Sequence, residues 1–288
     1  MTKILCQWVI CCYTVLFSQT AEAGTMPLRA QPGNSSRWLK VANVKGETTY
    51  SKARQEQRPA HIGDRLQLPG DQLSTLASGS AELHLDDGIA KISIGNLTTV
   101  TIQNLEKRAD GGKVTNLQIE GGQCLLKLRP LNHPHSSVTI STPAAIAGVR
   151  GTVFGISANG QGLSAIATRQ GKVIVTGQGK SVAVHAWEQS LAVPGQPPTS
   201  PRPLVQNAYL FDVKLAWVNA EQVRLQANTD PGNLVRVSGV PLDIGINGRI
   251  ETTATVTPDL RVIVEITTPL GQQKIFPLTV LLSEKPKV

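Results

Sequence analysis

Acidic and histidine side chains at alternate positions are the residues of this sequence that could do chemistry. Glu82, His84 and Asp86 alternate with two leucines, so in an extended segment all three side chains lie on one face. An acid–histidine–acid stripe could bind a divalent metal ion. The same alternation is typical of the solvated face of a half-buried strand. We favour the strand, and no metal ligand is predicted at this stripe.

A second group of histidines raises the same question. His133 and His135 flank Pro134, and two imidazoles at this spacing could bind a metal ion. A polar loop shaped by proline explains the pattern as well. We therefore predict neither a metal ion nor another cofactor.

The sequence does not predict a pair of carboxylates that could act together as acid and base. Asp86 and Asp87 are consecutive, so their side chains would point to opposite faces of an extended segment and could not act together. The sequence has no H-E-x-x-H, G-x-S-x-G, P-loop or dinucleotide-binding fingerprint. It predicts a protein that is not an enzyme and has no catalytic residues.

The elements that must position these side chains are short strands. Aromatic residues make up only 4% of the chain, whereas glycine and proline occur 26 and 18 times, a composition that favours a turn-rich β protein. Short alternating runs separated by glycine turns recur along the chain, and no run predicts a helix of normal length. Candidate strands include Ala81–Leu85, Ala90–Ile94, Thr98–Ile102, Leu234–Val237 and Arg261–Thr267. The predicted fold class is all-β, a multi-stranded wrap or roll followed by a β-sandwich.

A proline-rich segment divides the chain. Residues 194–203 contain five prolines, which favour an extended linker and cannot join a central sheet. We predict one β domain over residues 38–193, a linker over 194–204 and a second over 205–283, with a tail over 284–288. The second has the size and strand number of an immunoglobulin-like sandwich.

The N-terminus resembles an export signal. A positive start is followed by an apolar run over residues 4–17 and by Ala21-Glu22-Ala23, a small-x-small cleavage pattern. We expect a signal peptide over residues 1–23 and a flexible tether over 24–37. An uncleaved anchor is the alternative, but the apolar run is shorter than the ~20 residues that span a bilayer. The predicted location is periplasmic or extracellular, with no transmembrane segment after signal removal.

Net charge and cysteine content limit the kinds of partner and of thiol chemistry that the sequence predicts. The formal net charge is +8, but the basic residues are scattered and few aromatics accompany them, which argues against nucleic acid. Weak attraction to an anionic envelope surface is the expected consequence. Three of the four cysteines lie within the predicted signal peptide. Cys124 lies in an apolar run and is expected to be a buried small side chain.

The most distinctive segment is residues 141–154, STPAAIAGVRGTVF. Proline and two glycines interrupt an apolar run that also contains an arginine, which predicts a strand, a tight corner and a second strand. Arg150 has enough donors to bond several backbone carbonyls at such a corner, and Phe154 would anchor the core. The residues singled out here are Thr142, Pro143, Val149, Arg150, Gly151, Thr152 and Phe154.

This segment closely resembles the signature of the FecR-domain family of bacterial envelope proteins. Further similarity lies in a Gly-Asp step at residues 63–64, a turn at Asp87 and Gly88, and a closing strand around Gly171. Order and spacing agree over residues 38–193. We interpret these motif residues as structural, and for Arg150 a contact with a partner is the alternative.

The resemblance implies a periplasmic sensing and interaction module. FecR-type regulators carry an anti-sigma segment and a membrane span before this domain, and we expect this chain to lack that segment. We predict an exported protein that binds an envelope protein or surface polymer through strand edges or loops. The alternative is a carbohydrate- or peptidoglycan-binding accessory protein, which two neighbouring exposed aromatic side chains would favour.

Overall fold

The computed structural model describes residues 37–53 and 55–281 and confirms the all-β fold class. The predicted signal peptide, most of the tether and the tail lie outside the described residues. The first eighteen strands are β1 Leu39–Lys45, β2 Thr48–Ser51, β3 Arg58–Pro59, β4 Arg65–Leu66, β5 Gln72–Thr75, β6 Ser80–Leu85, β7 Ala90–Ile94, β8 Thr99–Lys107, β9 Lys113–Ile119, β10 Gly122–Leu128, β11 Ser137–Ser141, β12 Ile146–Val149, β13 Val153–Ala158, β14 Ser164–Gln170, β15 Lys172–Gly177, β16 Lys180–His185, β17 Glu188–Ala192 and β18 Arg202–Pro203. They are followed by β19 Phe211–Trp217, β20 Gln222–Asn228, β21 Leu234–Val237, β22 Val240–Leu242, β23 Arg249–Thr255, β24 Arg261–Thr267 and β25 Gln273–Thr279.

Strands β1 to β18 form two nine-stranded sheets. The first sheet has the order β18-β17-β14-β13-β10-β7-β6-β1-β4 and the second β16-β15-β12-β11-β9-β8-β5-β2-β3. All their pairings are antiparallel except β9 with β11. Three of the four edge strands, β3, β4 and β18, are only two residues long. Edges this short offer little backbone for another chain to pair with.

Alternating side chains build the core between these sheets. In β6 the buried residues Ala81, Leu83 and Leu85 alternate with half-buried polar ones. The neighbouring strand β7 buries Ala90, Ile92 and Ile94 in the same register. Because side chains alternate across a strand, each strand gives one face to this core and one to the outside. The outer face of the first sheet is therefore defined by the polar positions of β6 and β7.

A buried arginine joins the two sheets. Arg37, the last residue of the segment expected to be a tether, is 2% exposed. Its Nε donates to Asp86 Oδ2 at 3.0 Å, after β6 of the first sheet. Its Nη1 donates to the carbonyl oxygens of Glu106 and Val114, in β8 and β9 of the second sheet, at 3.0 and 2.7 Å. The carboxylate neutralises the guanidinium and the carbonyl oxygens accept from it away from water, as a buried charge requires.

The last seven strands form a three-stranded sheet, β19-β20-β23, and a four-stranded sheet, β22-β21-β24-β25. A separate apolar core that includes Val223, Leu225, Val262 and Val264 is buried between them. The two-sheet arrangement is that of a small sandwich. It follows from strong alternation in β20 and β24.

Two turns of this C-terminal part pack on the outer face of the first sheet. The Pro269 carbonyl oxygen accepts a hydrogen bond from Gln123 Nε2 at 2.9 Å, and it lies so close to Gly155 that a Cβ there would be 2.0 Å away. Ser157 Oγ donates to the Gly232 carbonyl oxygen at 2.5 Å. Strand β13 is consequently buried on both faces from Phe154 onward. The C-terminal part therefore covers the β13 side of the outer face.

Within the described ranges, no helix has the length and apolarity needed to cross a bilayer.

Candidate binding face

The predicted corner is held by the arginine of the motif. Arg150 Nη1 and Nη2 donate to the carbonyl oxygens of Pro134 and His133, at 3.1 and 3.0 Å. Gly151 has φ +149°, and a Cβ there would lie 2.8 Å from Pro130 Cα. The guanidinium thus ties the corner between β12 and β13 to the loop between β10 and β11. Both hydrogen bonds use the fork of donors that a guanidinium offers to backbone carbonyls.

The other motif residues also make structural contacts. Thr142 Oγ1 accepts the N–H of Ala145 at 3.1 Å and so closes the β11–β12 turn, in which Pro143 is exposed. Val149 is 4% exposed and Phe154 is fully buried.

Glycine brings the closing strand against the corner. Gly171 has φ +85°, and a Cβ there would lie 2.8 Å from the Gly151 carbonyl oxygen. Thr152 Oγ1 donates to the Lys172 carbonyl oxygen at 3.1 Å. The two most distinctive motif blocks therefore meet directly. Asp87 is exposed and Gly88 has φ +87° in the turn after β6.

The acid–histidine–acid stripe is divided by the structure. Glu82 and His84 share the outer face, with 2.8 Å between Glu82 Oε1 and His84 Nε2. Asp86 lies beyond the end of β6 at φ +48° and turns inward to the ion pair with Arg37. Hydrogen bonds from Lys91 and then from His84 lower the pKa of Glu82. The three side chains therefore do not form one ligand set.

The loop that contains the two histidines contacts an aspartate, Asp110, that the sequence did not place beside it. His135 Nδ1 lies 2.5 Å from Asp110 Oδ2, and His133 Nε2 lies 3.0 Å from the Asp110 carbonyl oxygen. Asp110 belongs to the β8–β9 hairpin, far away in the sequence. A hydrogen bond from the Gly112 N–H, with a further one from His135, lowers the pKa of Asp110.

Cys124 is fully buried in β10, and burial raises the pKa of its thiol. A thiol kept protonated in this way is a poor nucleophile.

The feature that sequence reasoning missed is a row of basic side chains across the outer face of the first sheet. In register, Arg65 pairs with Lys40, Lys40 with His84, His84 with Lys91, and Lys91 with Lys127. One basic residue from each of five adjacent strands thus stands in a line perpendicular to the strands. We call these residues the basic row: Arg65, Lys40, His84, Lys91 and Lys127.

The row is exposed and only partly neutralised. Four of its members are exposed and His84 is half-buried. Glu82 is the carboxylate beside it, 2.6 Å from Lys91 Nζ. Arg65 lies over the Trp38 ring, with its guanidinium carbon 4.7 Å from the ring centroid. His84, Lys91 and Lys127, with Arg129, line a cleft of about 340 Å³ at the β10 end of the row.

Comparison with known proteins identifies the first part of the chain. Residues 71–174 match the family model described as FecR protein. The resemblance to the FecR domain is thus confirmed for residues 71–174. The matched segment holds the motif corner, the closing glycine and three members of the basic row, His84, Lys91 and Lys127.

Two solved structures that match this chain have low sequence identity to it. Two crystal structures of a candidate anti-sigma factor from Parabacteroides distasonis have TM-scores of 0.41 and 0.40 and are 17% and 16% identical. Each match covers 49% of this chain and 67% of the other. A search of curated proteins found no match. The FecR match ends at residue 174, so the immunoglobulin-like assignment of residues 205–283 stays a prediction.

Proposed function

We propose that this FecR-domain protein is an exported, non-enzymatic binding protein of the bacterial envelope. Its ligand is the phosphate-rich surface of envelope lipids, which it contacts with the outer face of the first sheet. The observation that carries the proposal is the basic row. The FecR domain supports an envelope role, and the export pattern of residues 1–23 supports the same location.

The basic row suits the binding of an anionic ligand better than it suits the stability of the sheet. Like charges directly opposite each other on neighbouring strands destabilise a sheet. Arg65 nevertheless lies opposite Lys40, and Lys91 lies opposite Lys127, with His84 between the two pairs. An anionic partner would relieve that repulsion. A row of cations on an open sheet face also matches a charged surface better than a deep pocket would.

The shape of the sheet favours its face over its edges as the binding surface. The edge strand that carries the end of the row, β4, is two residues long, so backbone pairing with another chain would be short. The opposite side of the outer face is covered by the C-terminal turns at Pro269 and Gly232. The exposed surface between these limits is the basic row.

The test compares two variants with the same change in net charge. The full chain is mixed with vesicles of phosphatidylglycerol and phosphatidylcholine, or of phosphatidylcholine alone, and binding is measured by sedimentation. Each basic residue near an anionic membrane contributes about 1 kcal/mol. The double variant Lys40→Glu, Lys127→Glu should therefore lose at least about 30-fold in affinity for the anionic vesicles.

The matched control reverses two lysines on the other sheet. Lys172 and Lys180 are exposed at β15 and β16, so the variant Lys172→Glu, Lys180→Glu should retain most of the binding. Wild-type binding should fall as salt rises, because exposed charges are screened. Equal losses in the two double variants would mean that net charge acts without a defined face. The proposal would then be refuted, as it would by wild-type binding to neutral vesicles.

Sugar binding is the second candidate function. Its support depends on whether two neighbouring aromatic side chains are exposed. Tyr209 and Phe211 have ring centroids 5.6 Å apart, but only Phe211 is exposed. Tyr50 is buried and Trp38 is covered by Arg65. Trp187 is exposed as well, but the ring beside Phe211 is that of half-buried Tyr209. Within the described residues, the expected pair of neighbouring exposed aromatics is therefore only half present. Retention on purified peptidoglycan that Phe211→Ala abolishes would favour this candidate over lipid binding.

A further inference from the structure

Two loops of the FecR domain bring together three metal-ligand side chains, none of which belongs to the basic row. Asp110 comes from the β8–β9 hairpin, and His133 and His135 come from the loop between β10 and β11. One potential ligand atom from each side chain lies within 4.8 Å of the other two. Two imidazoles and one carboxylate form a donor set that suits zinc and similar divalent transition metals. From this cluster we propose a binding site for one such ion, outside the lipid-binding face.

The carboxylate is already oriented toward the histidines. The Gly112 N–H donates to Asp110 Oδ1 at 2.9 Å and fixes the carboxyl group in the hairpin turn. The second oxygen, Oδ2, lies 2.5 Å from His135 Nδ1. A metal ion would take the place of the proton that is shared in this contact. The carboxylate and one imidazole are thus in place before binding.

The second histidine has the outer hydrogen bond that metal ligands usually have. His133 Nε2 lies 3.0 Å from the Asp110 carbonyl oxygen. A bond of this kind, from the remote ring nitrogen to a backbone carbonyl, fixes the tautomer and leaves the other nitrogen for the metal. We assign Nδ1 of His133 as its ligand atom. In the metal-free protein this nitrogen accepts a longer bond, 3.3 Å, from the His135 N–H.

The backbone around the histidines is held from two sides. Arg150 bonds the carbonyl oxygens of His133 and Pro134. Ser136 Oγ accepts the Lys113 N–H at 3.0 Å, which joins the loop to the start of β9. A Cβ at Gly112 would lie 3.1 Å from that of His135, so the two loops are in close contact. Three ligands on braced backbone leave the remaining position to water or to a group from a partner, as in open zinc sites.

Titration of the full chain with ZnCl₂ tests the site. The accessible thiols are first blocked with iodoacetamide, so that cysteines 6, 11 and 12 cannot bind the ion. Calorimetry should show one saturable zinc ion per chain. Asp110→Asn, His133→Ala and His135→Ala should each weaken binding at least about tenfold. Asp110→Asn keeps the hydrogen bond from Gly112. Weaker zinc binding by this variant would therefore report the loss of a metal ligand and not a change in the fold.

A histidine outside the cluster is the control. His185 is exposed at the end of β16, and His185→Ala should leave the zinc affinity unchanged. With Co²⁺ in place of Zn²⁺, visible absorption bands should appear for the wild type and vanish for His135→Ala. Three results would overturn the inference: no saturable binding by the wild type, undiminished binding by Asp110→Asn, or an equal loss in His185→Ala. Vesicle binding by the His135→Ala variant should be unchanged, which separates this inference from the proposed lipid ligand.

Discussion

Removing the carboxylate of Asp86 should strongly destabilise the FecR domain. The side chains of Arg37 and Asp86 are 3% and 6% exposed, with 3.0 Å between Nε and Oδ2. In Asp86→Ala the guanidinium would stay buried without its counter-charge. Breaking a buried pair by deleting one partner costs about 3–5 kcal/mol.

The structure places the expected cost near the lower end of that range. Arg37 keeps its acceptors on Glu106, Val114 and Thr115, at 2.7 to 3.0 Å. The Trp38 N–H, in contrast, loses its acceptor on Asp86 Oδ1. We therefore expect a loss of about 3 kcal/mol in the free energy of unfolding.

Urea unfolding followed by circular dichroism measures the effect. With an m-value of about 2 kcal/mol/M, the loss corresponds to a midpoint about 1.5 M lower. Asp87→Ala is the matched control, because this adjacent aspartate is exposed and should change stability by no more than about 0.5 kcal/mol. Replacing both partners, Arg37→Met with Asp86→Leu, should recover most of the loss, because no charge is then left buried.

The reasoning fails if Asp86→Ala shifts the midpoint no further than Asp87→Ala does. It also fails if the double variant is as unstable as the single one. The first result would mean that water reaches the guanidinium. The second would mean that the loss comes from packing and not from the unpaired charge.

Two further predictions concern the covered face and acid stability. Gly155→Ala should lower the free energy of unfolding by about 1–3 kcal/mol, because its Cβ would meet a C-terminal carbonyl oxygen at 2.0 Å. Gly148→Ala, whose Cβ meets nothing closer than 3.9 Å, should be neutral in the same urea assay. Hydrogen bonds from Arg58 lower the pKa of Asp64, so this carboxylate contributes stability above about pH 4 that is lost as the pH falls further. Arg58→Ala should flatten that part of a stability profile measured from about pH 6 to about pH 2, and an unchanged profile would contradict the assignment.

Strands with one face in the core were predictable from the sequence. Ala90–Ile94, Leu234–Val237 and Arg261–Thr267 have the predicted bounds, because apolar and polar positions alternate in them. Strand β17 was not predicted. Its residues Gln189 and Ser190 are buried beside the C-terminal part, and alternation disappears when both faces of a strand are covered.

The candidate sites depend on contacts between distant segments. Lys40, Lys91 and Lys127 each look like an ordinary solvated position within its own strand. Only the register of the sheet shows that they form one line. Asp110 likewise meets His135 across two loops, whereas the sequence showed only the two histidines. Register and loop packing are set by the tertiary fold, so spacing along the chain could not reveal either site.

The pairing of the basic row also sets a length scale for whatever it binds. Neighbouring strands lie about 4.8 Å apart, so five consecutive strands space their charges over roughly 19 Å. Each strand is also rotated by about 20–25° from the next, so the charged side chains of the row follow the twist of the sheet and do not lie in one plane. Separate headgroups free to diffuse within a leaflet can follow such a curve one at a time. A stiff straight polyanion would touch only part of it.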